Sequence, residues 1–351
     1  ETLPLTSIPY ENGAQFKQGL MAKKEFIAQY HINTFLVGFE YSSDSYSSYN
    51  IYDNSGNISI ESIFDGMNDT KEYIQNSIFF NDTFHFNNDN ELNLGFRITP
   101  KEGLFYSLSY LERQMNDYNV RFSYSKGYRL PSLKELYYEW IDHVPNIFGN
   151  PDLKTSTNKY YSISFDKRTF INDFSVNFYL NKIKNMITTE YQNGNLYYIN
   201  YNRFTVSGIN MHYSRMISDN STVKFVYNLT NVHFKSDEIS EGISRHAFRI
   251  NFIQDLYKEK FKMIFTANYC SEKDNYDQEL FYLKVLESYW ISDLIFSAKI
   301  MELINLKFGV KNIFDYKDQS RFDILNSNVL SAYDPGKRYF FEFNLKFNKK
   351  G

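Results

Sequence analysis

Apolar and polar residues alternate one by one along most of this chain, most plainly in its last such run. There Tyr339, Phe341, Phe343, Leu345 and Phe347 fall on one face, and Phe340, Glu342, Asn344 and Lys346 on the other. Alternation of this kind is the period-2 signature of a β-strand with one apolar side. It recurs at Phe35, Val37, Phe39 and Tyr41, at Leu92, Leu94, Phe96 and Ile98, and at Tyr118, Val120, Phe122 and Tyr124. It returns at Phe174, Val176, Phe178 and Leu180, at Val223, Phe225, Tyr227 and Leu229, and at Ile304, Leu306, Phe308 and Val310. An unbroken row of five aromatic or aliphatic side chains suits a strand facing lipid, where every backbone group must find its partner within the sheet. The competing fold is a soluble β-sandwich, but these repeats lack the charged outer face it would need.

The composition points the same way. Phe (33) and Tyr (31) make up more than a sixth of the 351 residues, yet mean hydropathy is −0.50. A membrane β-barrel reconciles the two, with aromatic girdles and an apolar band outside and polar residues inside. No run of about 18 apolar residues is present, so no transmembrane helix is predicted. The net charge of −3, with Lys and Arg scattered, gives no footprint for nucleic acid. Cys270 stands alone, which excludes a disulfide framework and a Cys-based metal site. The opening residues, Glu1 to Gly13, lack the basic and apolar regions of a secretion signal, so the chain reads as a mature product or a piece of something longer.

Short turns are predicted at Asn87–Asn90, Asn172-Asp173, Ser218–Asn220 and Met301-Glu302, with long polar connections between them. Outer-membrane barrels alternate their turns in this way. Roughly fourteen strands of about 9–11 residues are expected. Residues 1–13 and Tyr41–Asp69 read as loops, and Gln15–Ile27 as a weak strand. Lys126 to Lys154 forms a loop of roughly two dozen residues, a length that in compact domains marks binding. Within it, Leu133 to Trp140 has the pattern for two helical turns behind Pro131. Gly149-Asn150-Pro151-Asp152 forms the return turn, with Pro at its second corner and Asn and Asp bonding their own backbone.

Four segments then carry a family resemblance: Gly127–Tyr138 (GYRLPSLKELYY), Gly149–Leu153 (GNPDL), Gly309–Asp318 (GVKNIFDYKD) and Asp334–Phe347 (DPGKRYFFEFNLKF). In this order they resemble the C-terminal half of TonB-dependent outer-membrane receptors. The resemblance implies an all-β fold, a transmembrane antiparallel β-barrel. Residues 1–351 would supply about the last fourteen strands of a 22-stranded barrel, without its plug domain and first strands. It further implies import of ferric siderophores, haem, cobalamin or, in some branches, glycans or peptides, with no covalent chemistry and no intrinsic cofactor. The implied partners are the TonB complex, reached through an N-terminal region, outer-membrane lipid, and a surface lipoprotein over the loops. The boxes Tyr128-Arg129-Leu130-Pro131 and Asn150-Pro151-Asp152-Leu153 look most like those of haem receptors, in which a histidine between the boxes ligates iron. His143 stands in that interval, while Leu130 departs from the usual alanine.

Each candidate residue has a plainer alternative. His143 is either an axial haem ligand or an ordinary loop histidine. Tyr137 and Tyr138 could stack on or ligate a porphyrin, though 31 tyrosines make any one a poor choice. Arg129 and Asn150 could touch ligand, but they suit the strand end and the return turn better. His31, His85, His212, His233 and His246 show no metal-ligand spacing, and the pairs Glu135/Glu139 and Asp315/Asp318 read as solvated faces rather than acid/base machinery. Arg97, Arg121, Lys224, Arg249 and Lys307 fall on the polar face, which would line either a pore or a plug socket. The expectation is a receptor importing haem or another metal chelate. The alternatives are a cobalamin or siderophore receptor, a self-contained 14-stranded passive channel, and an adhesin-like barrel.

Overall fold

The computed structural model describes residues 8–27, 31–54, 57–62, 70–86, 89–100, 102–114, 118–140, 146–234, 245–257, 260–277, 282–301, 304–317 and 336–345. They form twenty strands and one short helix. The first half holds β1 (Ile8–Ile27), β2 (His31–Asn54), β3 (Asn57–Ser62), β4 (Lys71–Phe86), β5 (Glu91–Thr99), β6 (Gly103–Gln114) and β7 (Tyr118–Arg129). Then come α1 (Leu133–Tyr137), β8 (Glu139–Trp140), β9 (Asn146–Phe148), β10 (Ser156–Arg168), β11 (Asn172–Gln192) and β12 (Asn195–Ser218). The remainder is β13 (Ser221–Phe234), β14 (His246–Tyr257), β15 (Phe261–Cys270), β16 (Lys273–Asp277), β17 (Tyr282–Leu286), β18 (Tyr289–Met301), β19 (Ile304–Lys311) and β20 (Arg338–Leu345). The chain divides into two compact units, one of Glu1–Glu112, Arg121–Tyr161 and Asn181–Thr205, the other of Arg113–Val120, Ser162–Leu180 and Val206–Gly351.

In the first unit, antiparallel pairing runs β1–β2–β4–β5–β6, with β3 on the far end of β2. The register puts Leu20, Phe39, Ile78, Ile98 and Leu104 in one row across five strands. All five are exposed, Leu20 at 80%. In water such a row would be an aggregation hazard; against acyl chains it is what the sheet needs. The opposite face is polar: the Arg97 guanidinium bonds the Glu40 carboxylate at 3.0 Å and the Ser77 hydroxyl at 2.8 Å. Tyr106 and Tyr124 join hydroxyls at 3.1 Å, and Tyr124 stacks on Tyr161 at 4.8 Å, an aromatic group of the kind that forms membrane girdles.

In the second unit β13–β14–β15–β18–β19–β20 form an antiparallel meander, while β16 and β17 pair as a separate ribbon. Phe308, Tyr339, Phe341, Phe343 and Leu345 stand exposed on one face. On the other, Lys307 donates to the Glu342 carboxylate at 3.1 Å. The facing predicted for the last strand therefore holds over Tyr339–Leu345; Lys346 and Phe347 lie outside the described residues.

Several expectations change. β7 runs through Gly127 to Arg129, so the loop predicted from Lys126 starts only beyond Arg129. Part of the 1–13 loop and much of the Tyr41–Asp69 loop are strand: β1 begins at Ile8, and β2 runs 24 residues to Asn54 before turning into β3. Ser, Tyr and Asn alternate there without apolar contrast, so nothing in the side chains announced a strand; pairing to β1 as far as Ile8↔Ile51 defines it. The predicted two-turn helix is a single turn followed by the short strand β8.

Candidate ligand-binding loop

Beyond Arg129 the chain leaves β7 and is fastened at once. Ser132 caps α1: its hydroxyl accepts the Glu135 amide at 3.2 Å, and the Glu135 carboxylate accepts the Ser132 amide at 2.8 Å. This reciprocal pair satisfies two donors that a helix start would otherwise leave open. Glu135 also takes the Arg129 guanidinium as an ion pair, its side chain largely covered while Arg129 is half exposed. The helix stops at Tyr138, whose backbone turns extended as its ring is buried with Tyr46 and Leu133. Apolar burial of that ring outweighs one more helical turn.

The second box closes onto the first. The Gly149 amide donates to the Tyr138 carbonyl at 2.5 Å and the Asn150 amide to the Glu135 carbonyl at 2.9 Å. A Cβ on Gly149 would lie 2.7 Å from the amide nitrogens of both Tyr137 and Tyr138, so only glycine fits. Asn150 makes the predicted turn: its side-chain oxygen accepts the Asp152 amide at 2.9 Å, and its carbonyl the Leu153 amide at 3.3 Å. Its side-chain NH2 donates to the Tyr198 carbonyl at 2.9 Å. One residue on, the Lys154 backbone exchanges bonds with the Asn200 side chain at 2.6 and 2.9 Å. Between the boxes β8 pairs with β9, and β9 lies parallel to the start of β12, with Phe148 stacked on Tyr197 at 5.1 Å.

The structure thus brings Arg129, Tyr137, Tyr138 and Asn150 into one clasp. Tyr138 is buried, and Tyr137 packs against the same cluster with the Lys71 ammonium 5.9 Å from its ring centre. His143 lies outside the described residues. Glu135, assigned from the sequence to a solvated face, is the hub of the clasp; the Ser-x-x-Glu spacing was the signal for it. Asn200 and Tyr198 complete the foot of the clasp and carried no such signal.

The third and fourth motifs form a second clasp. Asn312 is fully buried at φ +51°; its amide donates to the Asp293 carboxylate at 2.8 Å. Its side chain bonds the Tyr316 backbone twice, at 2.7 and 2.9 Å. Asp315 accepts the Lys337 amide at 2.7 Å, beside Gly336 at φ +94°. That amide, together with the Lys317 ammonium at 3.5 Å, holds the Asp315 carboxyl below the usual carboxylate range. Asp318 lies outside the described residues. Among the described residues no group of three or more His, Cys, Asp or Glu is placed to hold a metal ion.

The fold is shared with solved structures at low sequence identity. A variant of the ferric enterobactin receptor from Pseudomonas aeruginosa, in complex with enterobactin, aligns with a TM-score of 0.74 and 12% identity over 96% of this chain and 55% of its own. The siderophore receptor PirA from Acinetobacter baumannii aligns at 0.72 and 16% identity, with the same coverage of each chain. The copper transporter OprC gives 0.77 and 11%, over 97% of this chain and 57% of its own. The chain therefore spans little more than half the length of these relatives. No curated protein sequence matches it. Residues 6–313 match the family described as "TonB dependent receptor-like, beta-barrel", and the chain belongs to that family of the bacterial outer membrane.

Proposed function

We propose that the protein works in TonB-energised import of an iron chelate across the outer membrane, with the loop between the two boxes contributing to ligand recognition. The observation that carries this is the clasp itself. The two boxes are tied to each other and to neighbouring strands, Arg129 through the Glu135 carboxylate and Asn150 through the Asp152 amide and the Tyr198 carbonyl, and this fixed base carries the residues between them. The role is transport, not catalysis, with the chelate as cargo. TonB, outer-membrane lipid and a surface lipoprotein are the partners this reading calls for.

Haem is the cargo we put first, because His143 falls between the boxes and a neutral imidazole is a common axial ligand. A ferric siderophore is the second reading, supported by the fold shared with siderophore receptors. Titrating the full-length receptor with haem separates them. A Soret shift in the wild type, with affinity about tenfold weaker in His143→Ala, or about 1.4 kcal/mol, supports haem. Unchanged affinity in the variant sinks the ligation; no Soret shift in either protein leaves the siderophore.

A further inference from the structure

On the polar face of the second unit, four strands line an open hollow of about 510 Å³ that borders the second clasp through Tyr289. Its upper row is set by register: Asn228 on β13, Ala247 on β14, Cys270 on β15 and Tyr289 on β18 lie side by side. The next row on the same face pairs Arg249 with Asn268. Ala247 is the reason for the hollow, a single methyl group between longer side chains. Tyr289 forms a stiff wall, buried and stacked on Tyr316 at 5.5 Å. The size is that of a small-molecule pocket, which typically runs from about 300 to 1,000 Å³.

The charge in this pocket is unbalanced. Among the described residues that line it Arg249 is the one ionised group, and none is a carboxylate. The Arg249 Nε donates to the Asn268 side-chain oxygen at 2.6 Å, which fixes the guanidinium plane. Among the described residues Arg249 makes no ion pair, so both of its Nη groups are uncommitted. An always-charged planar fork, oriented by a neighbour and facing a cavity, matches the two oxygens of a carboxylate.

We propose that this pocket binds the carboxylate of an organic anion, held by the Arg249 fork, with the Asn228 amide as a second donor and the Tyr289 ring as its apolar wall. The site is separate from the loop clasp and does not rest on the identity of the imported cargo. The carboxylate can come from a free ligand or from this chain's own 235–244 segment, which carries Asp237, Glu238 and Glu241; the free ligand is the occupant proposed.

Cys270 supplies the reporter, since its thiol lines the pocket beside Arg249. In the full-length receptor with Cys270 as its only thiol, labelling is timed with two methanethiosulfonates of like size, one a sulfonate and one a trimethylammonium. The proposal expects Arg249→Gln to reduce the sulfonate's rate advantage by about tenfold, the effect of one unit charge at short range in a partly wet site. Benzoate should slow labelling of the wild type and leave Arg249→Gln unaffected. Arg249→Lys should keep the rate preference and lose most of the benzoate protection, because it keeps the charge without the fork. An unchanged rate ratio in Arg249→Gln overturns the proposal. So does benzoate protection that is seen only after Asp237, Glu238 and Glu241 are all changed to their amides, since the chain itself would then be the occupant.

Discussion

The loop after β7 and the loop after β19 are both closed by side chains bonded to backbone, yet from opposite materials. The first turns on an ion pair: Glu135 joins Arg129, Ser132 and the helix start over a small cluster of Tyr46, Leu133 and Tyr138. The second turns on one neutral amide, Asn312, sealed from solvent and satisfied at every polar atom. A half-exposed ion pair contributes little, because water competes for both charges. A buried amide contributes through what its loss would strand, since each abandoned backbone partner costs the full price of its desolvation. Each of the four motifs that carry the family resemblance contributes residues to one of these two clasps. They record how the chain is tied.

The comparison can be broken most forcefully at Gly149. In Gly149→Val the new side chain meets backbone nitrogens that cannot rotate aside, so the first clasp should open at a cost of about 3 kcal/mol, read by urea unfolding and by new protease cuts within residues 130–155. Next comes Asn312→Ala, expected to cost about 2–3 kcal/mol by orphaning the Tyr316 backbone and straining a left-handed residue. Asn312→Gly should recover only the part owed to strain; full recovery would show that the amide bonds contribute nothing. Glu135→Gln keeps the cap acceptor and loses the charge, so about 0.5–1 kcal/mol is expected. A larger loss there than at Asn312 would reverse the ranking of the two clasps.

The smallest effect is one of pH. Because the folded carboxyl of Asp315 titrates below its ordinary 3.8, its bond to Lys337 stabilises the fold above that value and is lost as the pH falls through and below it. Amide exchange at Lys337 should accelerate relative to its intrinsic rate on acidification below 3.8, while that at Tyr316, bonded to the neutral Asn312, should not follow it. Parallel acceleration at both amides would show that the second clasp opens as one unit.

The lipid-facing strands were legible because one wet face and one oily face stamp a period of two on the sequence. The same rule explains the failure beyond Tyr41. Where both faces of β2 are polar, Ser, Tyr and Asn carry no contrast, and the strand exists because β1 is there to pair with it. The return turn at Asn150 was readable because its chemistry is local, an Asn side chain bonding an amide two residues away. The end of α1 was not, since it depends on Tyr46, far off in sequence, drawing in Tyr138. The parallel docking of β9 on β12 joins residues 49 apart through Asn146 and Asn195, and no short pattern encodes it. Of the site residues, Arg129 and Asn150 were weighed as ligand contacts against the strand end and the return turn; Arg129 pairs with Glu135, and Asn150 bonds the Tyr198 carbonyl.

The length of β2 has one more consequence. A tilted strand crosses the hydrocarbon in about 9–11 residues, so over half of its 24 residues serve no bilayer. Beyond Tyr46, which is buried with Leu133 and Tyr138, the sequence of β2 carries no alternating apolar row, so none fixes how far the hairpin must reach. Adding two residues to each of its strands would lengthen it by about 7 Å and leave every lower row facing as before. The overhang is a telescoping joint, a place where drift can change reach in even steps while the lipid-facing rows below stay as they are.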